Sequence, residues 1–468
     1  GDVGQRAPKA SATSTSTVTP VAVFEDTPCG RLPAYQEPWP QRPRYVARLQ
    51  VDVARAAVIG TVRVSFTPDA PTDRIVFRLW PNAPRLVRAG GRLDVTGATL
   101  DGTQVAGVYE RGGGPLPGPG TIYTVPLPAP ARAGRRLDVE LGFSLALPEG
   151  VSDRVARSGA SVRLGSVIPM LSWVRGFGWQ SSPAVDAFAE AAASEVADYD
   201  VTVEAPPGFS VLATGEQRSP GRFVATAVRD WAGTVGRLTE ASAPAQGGEV
   251  EVIVGVAAGA PDDPGALARR AAVAVDGMAR RFGRYPYRTL SIGVTQQLSG
   301  GIEFPQHILL GSSVSTEHLV HEIAHQWFYG LVGNDQYSDP WLDEGVAKYA
   351  DARVDGRLAA VSAVAVPPVG QGRFGESMAF WEGRTDAYFR SVYVQGAQVL
   401  VALGAGATGL DAVDCGLRRY VHMQAYAVAR PAHLAAALTE ELRVDVAPTL
   451  GLPPAPAPAP GGRGNRAP

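Results

Sequence analysis

The residues best suited to chemistry lie in the segment His321-Glu322-Ile323-Ala324-His325, which fits the pattern H-E-x-x-H. On a helix, side chains four positions apart lie one turn apart on one face, so both imidazoles can reach a single cation. Glu322 is rotated from that line and can lie beside the cation without binding it. Imidazole and carboxylate ligands favour zinc, and a catalytic zinc site keeps a position for water. The pattern therefore predicts one zinc ion per chain, with Glu322 as the general base.

The sequence around this motif predicts the helix that the motif requires. Ser315 can cap the N-terminus, Glu317 suits the first turn, and Gly330 can end the helix. Apolar residues recur every four positions, as at Leu319 and Ile323, and give the helix a broad buried face. The two histidines lie on another face and remain available to a metal ion.

A third ligand is expected from the next helix. Asp339 fits an N-cap, and Pro340 fits the first helical position. Glu344 lies just over one turn into this helix and is separated from His325 by residues 326–343, 18 in all. An antiparallel helix can bring this carboxylate onto the two histidines, which completes the ligand set of a hydrolytic zinc site. The alternative is a chance match on a buried helix, which is unusual in a chain with six histidines.

The segment at residues 321–345 resembles the signature of the M1 family of zinc aminopeptidases, the gluzincins. It reads HEIAHQWFYGLVGNDQYSDPWLDEG, with H-E-x-x-H, 18 residues and then the glutamate. Residues 282–287 (FGRYPY) and 300–305 (GGIEFP) resemble the approach to the family's G-x-M-E-N motif, and residues 393–397 (YVQGA) resemble its Tyr-x-Lys-Gly segment. The resemblance spans roughly residues 40–445.

This resemblance implies an α+β multidomain fold, in which an N-terminal antiparallel β saddle precedes a thermolysin-like, mainly helical zinc peptidase domain. The chain looks like a short member of the family that lacks its C-terminal helical domain. The activity implied is removal of N-terminal residues from peptides by attack of a zinc-activated water.

The resemblance also implies the role of a tyrosine. Tyr393 matches the family's catalytic tyrosine and would donate a hydrogen bond to the developing oxyanion, with Tyr388 as the alternative. Glu322 would take a proton from the water and deliver it to the leaving amine.

Glu303 matches the glutamate that holds the free α-amine of the substrate in the family. Gly300 and Gly301 would let the backbone approach the peptide closely. Ile302 and Phe304 stand where the family has methionine and asparagine. The alternative for Glu303 is a solvated residue on an edge strand. A second amine-binding acid is not evident in the N-terminal part, where residues 169–180 (PMLSWVRGFGWQ) take its place.

The other histidines have no motif around them. His318 is expected to lie behind the ligands or at the surface, and His307, His422 and His433 are expected to be structural. Asp339 needs no role beyond helix capping.

The composition bounds the class of protein. A chain of 468 residues exceeds what one hydrophobic core usually serves, so two or three domains are expected. Its 45% hydrophobic and 19% charged residues are typical of a soluble globular protein. A net charge of -2 gives no indication of a nucleic-acid partner, and no apolar run is long enough for a transmembrane helix.

The pattern along the chain predicts the order of the elements. From about Tyr45, apolar and polar residues alternate between turn signals, which predicts an antiparallel β region. A strand at Val250–Val256, a helix at Pro264–Phe282 and a strand at Thr289–Thr295 follow, and Glu317–Leu442 reads mainly as helix. The expected parts are a flexible segment at 1–39, a β domain at 40–237, a catalytic domain at 238–450 and a disordered Pro/Ala-rich tail at 451–468.

Cys29 and Cys415 are the two cysteines of the chain and could form one disulfide or be two unrelated buried thiols. The disulfide is favoured because the N-terminal region looks exported: residues 8–20 are rich in Ser, Thr and Pro. Such a segment commonly tethers a domain to the cell envelope. We therefore expect a secreted or envelope-associated protein whose partners are peptide substrates.

Three functions are consistent with these residues. The first is a zinc aminopeptidase, and the second is a related metallopeptidase without a strict need for a free amine. The third is a non-catalytic binding module that keeps the peptidase fold. It would tolerate a broken site, whereas the ligands, Glu322 and Tyr393 are all present.

Overall fold

The computed structural model describes residues 28–111, 118–187, 192–406 and 409–453. The Ser/Thr/Pro-rich segment and nearly all of the Pro/Ala-rich tail lie outside the described residues. Among the helices of the described part, none is both long and apolar enough to cross a membrane.

The first half of the described chain consists mainly of β-strands. Buried and exposed positions alternate along the strands, as in β1, where Tyr45, Ala47 and Leu49 face the core. The elements are β1 (Arg44–Asp52), β2 (Ala57–Phe66), β3 (Thr72–Arg78), α1 (Pro84–Arg88), β4 (Arg92–Leu100), β5 (Thr103–Gln104), β6 (Val108–Glu110), β7 (Ile122–Ala131), β8 (Leu137–Ala146), β9 (Val155–Ser158), β10 (Ser161–Gly165), β11 (Met170–Leu171), β12 (Trp173–Val174), β13 (Gly178–Trp179), β14 (Ala197–Glu204), β15 (Ser210–Ala213), β16 (Glu216–Ser219), β17 (Arg222–Val228) and β18 (Ala232–Gly236).

These strands form several sheets around one apolar core. The largest sheet has the order β16-β17-β14-β1-β2-β8-β4-β5, and smaller sheets have the orders β15-β18-β10-β9 and β11-β3-β7-β6. The prediction of a purely antiparallel region is wrong in one place, because β1 and β14 pair in parallel. Strand β14 follows a long connection that returns it beside β1 in the same direction, and the rings of Tyr45 and Tyr199 stack across this pair at 4.5 Å.

The second half begins with a mixed sheet and continues into helices. Its elements are β19 (Leu238–Ala245), β20 (Val250–Ala257), α2 (Pro264–Phe282), β21 (Thr289–Thr295), β22 (Gly301–Ile302), β23 (His307–Gly311), α3 (Thr316–Ala324), β24 (Gly333–Asn334), α4 (Trp341–Asp355), α5 (Leu358–Ser362), α6 (Met378–Trp381), α7 (Thr385–Tyr388), a π-helix (Phe389–Gln395), α8 (Gly396–Leu403), α9 (Gly409–Gln424), β25 (Val428–Ala429) and α10 (Pro431–Leu442). The bounds predicted for α2 and β21 are confirmed.

Local sequence explains why α2 begins where it does. The side chain of Asp263 accepts hydrogen bonds from the backbone N–H groups of Gly265 and Ala266, and Pro264 takes the first helical position. The helix packs on a sheet of order β19-β20-β21-β23-β22. Strand β22 lies at the edge of this sheet and is antiparallel to β23.

A buried arginine joins the two halves of the chain. The guanidinium of Arg229 donates hydrogen bonds to the carbonyl oxygens of Gly330 at 3.1 Å, Leu331 at 3.2 Å and Ala427 at 3.2 Å. It also donates to the carbonyl of Ser194 at 2.8 Å. Because the carbonyls of Gly330 and Leu331 belong to the loop that follows α3, Arg229 fixes the chain just after the histidine motif.

The N-terminal segment is fastened to the helical part by a disulfide between Cys29 and Cys415, which confirms that the two cysteines pair. The cysteines are 386 positions apart in sequence, and their Cα atoms are 5.3 Å apart. The segment is also held by the hydroxyl of Tyr35, which donates to the carbonyl of Arg284 at 2.7 Å. Disulfides of this kind are typical of proteins that fold in an oxidising compartment.

We expect replacement of Cys415 by Ser to lower the free energy of unfolding by about 2–4 kcal/mol, since the crosslink restricts the unfolded chain. Thermal unfolding followed by circular dichroism measures this change. Dithiothreitol should lower the midpoint temperature of the wild type and leave that of Cys415→Ser unchanged. A reductant effect of equal size on both proteins would contradict the prediction.

Candidate active site

Helix α3 carries the histidine motif, and its N-terminus is capped as predicted. Ser315 accepts a hydrogen bond from the backbone N–H of His318. The prediction that the helix reaches Gly330 is wrong, because its last helical residue is Ala324. The N–H of Gly330 bonds to the carbonyl of His325 at 2.8 Å, and Tyr329 has a φ of 118°, which no α-helix contains. His325 therefore lies at the C-terminal end of α3.

Helix α4 carries Glu344, but its start differs from the predicted cap. Asp339 makes no capping hydrogen bond; its carboxylate lies 3.6 Å from the guanidinium of Arg430. Burial raises the pKa of Asp339 to about 6, although Arg430 opposes the shift. In the first turn of α4 the backbone N–H of Glu344 instead donates a hydrogen bond to the side chain of Asp343 at 2.8 Å.

The two helices bring three potential ligand atoms together. His321 Nε2 and His325 Nε2 are 3.1 Å apart, and Glu344 Oε2 lies 3.2 Å from the first and 3.1 Å from the second. Zinc bonds of about 2.0–2.1 Å at tetrahedral angles place ligand atoms about 3.3 Å apart. The spacing of the three atoms therefore fits one zinc ion.

The Nδ1 atom of each imidazole, on the side away from the other ligands, is also hydrogen-bonded. His321 Nδ1 lies 2.8 Å from Asp351 Oδ2, and His325 Nδ1 lies 3.0 Å from the carbonyl oxygen of Phe328. Because both acceptors call for N–H at Nδ1, each Nε2 presents a lone pair toward the other ligands, as metal binding requires. Sequence reasoning missed Asp351, although its position seven residues after Glu344 places both on one face of α4.

The carboxylates of this region differ in their titration. Burial would raise the pKa of Glu344, but His325 and His321 beside it hold that pKa below its usual range. Burial raises the pKa of Glu322 to about 8, against the opposing effect of the two histidines. The pKa of Glu303 is raised for the same reason, with His325 opposing the shift.

Gly301 on β22 lies against Glu322. A Cβ at Gly301 would collide with Cγ of Glu322, so glycine at this position lets the edge strand lie close to the Glu322 side chain. Gly300 has a φ of 85°, in the region that favours glycine. The glycine pair thus brings the edge strand to the site without displacing Glu322.

Glu303 follows β22 and is 4% exposed, so the alternative of a solvated edge-strand residue is wrong. Its neighbours Ile302 and Phe304 are buried in a small apolar cluster with Leu298 and Leu309. These two substitutions relative to the family pattern therefore serve packing, while Glu303 faces the site.

Tyr393 lies in the π-helix, and its ring stacks on the imidazole of His321 with centroids 5.6 Å apart and an angle of 21°. π-Helical turns are frequent at functional sites. The ring of Tyr388 packs edge-on against that of Tyr393, with centroids 5.6 Å apart. Of these two tyrosines, Tyr393 is the one that borders the cavity.

One cavity of about 670 Å³ is lined by every residue that the sequence assigns to the site. These residues are Gly300, Gly301, Glu303, His321, Glu322, His325, Glu344 and Tyr393. From the β-rich half, Arg85 and Ser152 also border the cavity, and sequence reasoning had no pattern with which to find them. Ser152 accepts from the backbone N–H of Ser299 at 2.9 Å, which ties this half to the chain just before the glycine pair.

The remaining histidines lie where a structural role explains them, apart from His318, which borders the cavity beside the ligands. His307 is fully buried, with Nδ1 2.6 Å from the hydroxyl of Ser291. His422 donates to a backbone carbonyl of the N-terminal segment at 2.7 Å, and His433 accepts from a backbone N–H at the start of α10.

A second group of donors lies next to the first. Potential ligand atoms of Glu303, His325 and Asp343 also come within 4.8 Å of one another. This group shares His325 with the first, and zinc favours two imidazoles with one carboxylate over one imidazole with two carboxylates. The cluster of His321, His325 and Glu344 is therefore the better zinc site.

Comparison with known proteins agrees with this site. Residues 311–367 match the family model described as the Peptidase family M1 domain. Over 65 residues the chain is 37% identical to leukotriene A-4 hydrolase of Xenopus laevis, a match that covers 13% of this chain and 11% of that protein. Over 70 residues it is 34% identical to leucine aminopeptidase 2 of Candida albicans, covering 14% of this chain and 11% of that protein. The chain thus matches about a tenth of the length of these curated relatives.

Solved structures share nearly the whole fold. The M1 zinc metallopeptidase from Deinococcus radiodurans matches with a TM-score of 0.62 and 21% identity, over 91% of this chain and 97% of that one. A mutant of a two-domain M1 zinc metallopeptidase bound to L-arginine matches with a TM-score of 0.63 and 20% identity, over 91% and 96% of the two chains. The chain has the α+β fold of two-domain M1 metallopeptidases. Residues 311–367 thus match the M1 peptidase domain and contain the ligand cluster, which fits zinc, and the chain as a whole shares the fold of M1 zinc metallopeptidases.

Proposed function

We propose that this protein is a zinc aminopeptidase that removes N-terminal residues from peptides, with a thermolysin-like catalytic domain at residues 238–450. The observation that carries the proposal is one cavity in which the zinc ligands, a buried general base and a buried glutamate beside an edge strand lie together. A mutant of the Deinococcus radiodurans metallopeptidase has been solved with a Tyr-Ser-Ala substrate; it matches this chain with a TM-score of 0.61 and 21% identity, over 88% and 93% of the two chains. A peptide is therefore the substrate class proposed for this cavity as well.

Each step of hydrolysis has a residue in the cavity. Zinc held by His321, His325 and Glu344 would lower the pKa of water toward about 7 and polarise the scissile carbonyl. Glu322 borders the cavity beside the ligands, where it takes the proton of the attacking water and delivers it to the leaving amine. Tyr393, stacked on His321, donates a hydrogen bond to the oxyanion.

The position of Glu303 accounts for cleavage after one residue. Its carboxylate is buried and borders the same cavity as Glu322, so an ammonium group there gains a strong ion pair away from bulk water. Strand β22 is the edge strand of its sheet, where an extended peptide would pair. A peptide paired there with its terminal ammonium on Glu303 would place its first peptide bond in the cavity lined by Glu322 and the zinc ligands.

We expect Glu322→Gln to lower kcat by about 10²–10⁴-fold, because the amide cannot accept the water's proton. Zinc content should remain at the wild-type level, since Glu322 is not a ligand. The matched control is Glu251→Gln on β20, where the glutamate is exposed and far from the cavity. Turnover of Glu322→Gln at the wild-type rate would refute the mechanism, and inactivity of the wild type would favour the non-catalytic binding module.

We expect alanine p-nitroanilide to be cleaved with a kcat/KM at least about 30-fold above that of its N-acetylated form, because acetylation removes the charge that pairs with Glu303. Glu303→Gln should reduce the ratio of the two kcat/KM values, chiefly by raising KM for the free-amine substrate. Similar kcat/KM values for both substrates in the wild type would instead identify an M1-like metallopeptidase without a strict need for a free amine.

A further inference from the structure

A glutamine between the histidine motif and Glu344 contacts the carboxylate of Glu303. Gln336 lies in the loop between β24 and α4 and is 1% exposed. Its side-chain Nε2 donates to Asp343 Oδ2 at 2.9 Å and makes a longer contact to Glu303 Oε1 at 3.4 Å. The single amide group thus contacts two buried carboxylates.

The orientation of this amide is fixed from its other side. The carbonyl oxygen of Gln336 accepts from the backbone N–H of Ala192 at 3.1 Å, and its own backbone N–H donates to the carbonyl of Ala192 at 2.9 Å. Because the N–H of Ala192 needs an acceptor, Oε1 must face Ala192 and the NH₂ group must face the carboxylates. The β-rich half of the chain therefore holds the amide in place.

The carboxylates on the other side are also constrained. Asp343 Oδ1 accepts from the N–H of Glu344, so Asp343 is fixed to the helix that carries the third zinc ligand. Two buried carboxylates near each other repel unless a donor lies between them. The NH₂ group of Gln336 is that donor, and its contact with Glu303 is made to Oε1 alone.

We propose that Gln336 is a positioning residue that orients Glu303 toward the substrate ammonium and so sets the preference for a free N-terminus. This inference rests on the proposed function, because it takes Glu303 as the group that binds the amine. It assigns Gln336 no contact with the peptide itself. The amide links the amine-binding carboxylate to the zinc-ligand helix, so the distance from the ammonium to the scissile bond is fixed by the protein.

The test compares two zinc-binding ligands that differ in one group. Alanine hydroxamate carries the amine, and propionohydroxamate is the same molecule without it. Calorimetry with the zinc-loaded protein measures the Kd of each ligand, and the ratio of the two values reports recognition of the ammonium alone. Zinc content is measured for each variant.

The variant is Gln336→Met, which has a similar length and removes both donors without adding charge. The matched control is Gln246→Met, since Gln246 is equally buried but bonds to the backbone of Tyr285, away from the cavity. Gln336→Leu serves if Gln336→Met does not fold, because it also lacks the donors and adds no charge.

We expect the wild type to bind alanine hydroxamate more tightly than propionohydroxamate. In the Gln336 variant the ratio of the two Kd values should fall by at least about ten-fold. The Kd of propionohydroxamate and the zinc content should be unchanged, and Gln246→Met should retain the preference. An unchanged preference in the Gln336 variants would overturn the inference, as would equal weakening of both ligands. If the wild type binds both ligands equally, the proposed role of Glu303 itself fails, and this inference fails with it.

Discussion

The close approach of three buried ligand atoms is the constraint on which the rest of the site depends. Two imidazole nitrogens and one carboxylate oxygen lie 3.1–3.2 Å from one another. With each Nδ1–H directed to an acceptor, the three facing atoms can all present lone pairs to one cation. A cation bound there would join the two helices, so metal binding would stabilise the packing of α3 on α4.

The surrounding elements can be understood from this constraint. The end of α3 at Ala324 places His325 where the chain leaves the helix, and Arg229 holds the carbonyls of the loop that follows. The edge strand β22 can approach only because Gly301 leaves room for Glu322. The same approach places Glu303 beside the ligands, so the proposed general base and the proposed amine site are both positioned by one strand.

Much of the site could be predicted from the sequence because its signal is local. The spacing of His321 and His325 fixes their relation on any helix, and the cap at Ser315 and the bounds of α2 follow from neighbouring residues. The cavity then brings Glu303 and Tyr393 beside those ligands, as the family resemblance implies. Residue patterns alone could not select Tyr393 among 14 tyrosines.

What the sequence did not predict depends on contacts between distant segments. The parallel pairing of β1 with β14 and the contact of Gln336 with Ala192 join residues far apart in the chain, and no periodicity encodes them. The predicted cap at Asp339 was wrong because Arg430, on the far side of α4 in sequence, draws its carboxylate away from the helix. The predicted end of α3 was wrong because the backbone turns at Tyr329, five residues after the last helical position.

Anomalous X-ray diffraction at the zinc absorption edge would locate the metal held by His321, His325 and Glu344. We expect a single peak per chain at about 2.0–2.2 Å from Nε2 of both histidines and from a carboxylate oxygen of Glu344. A peak centred instead among Glu303, His325 and Asp343, or no peak from zinc-loaded crystals, would contradict it.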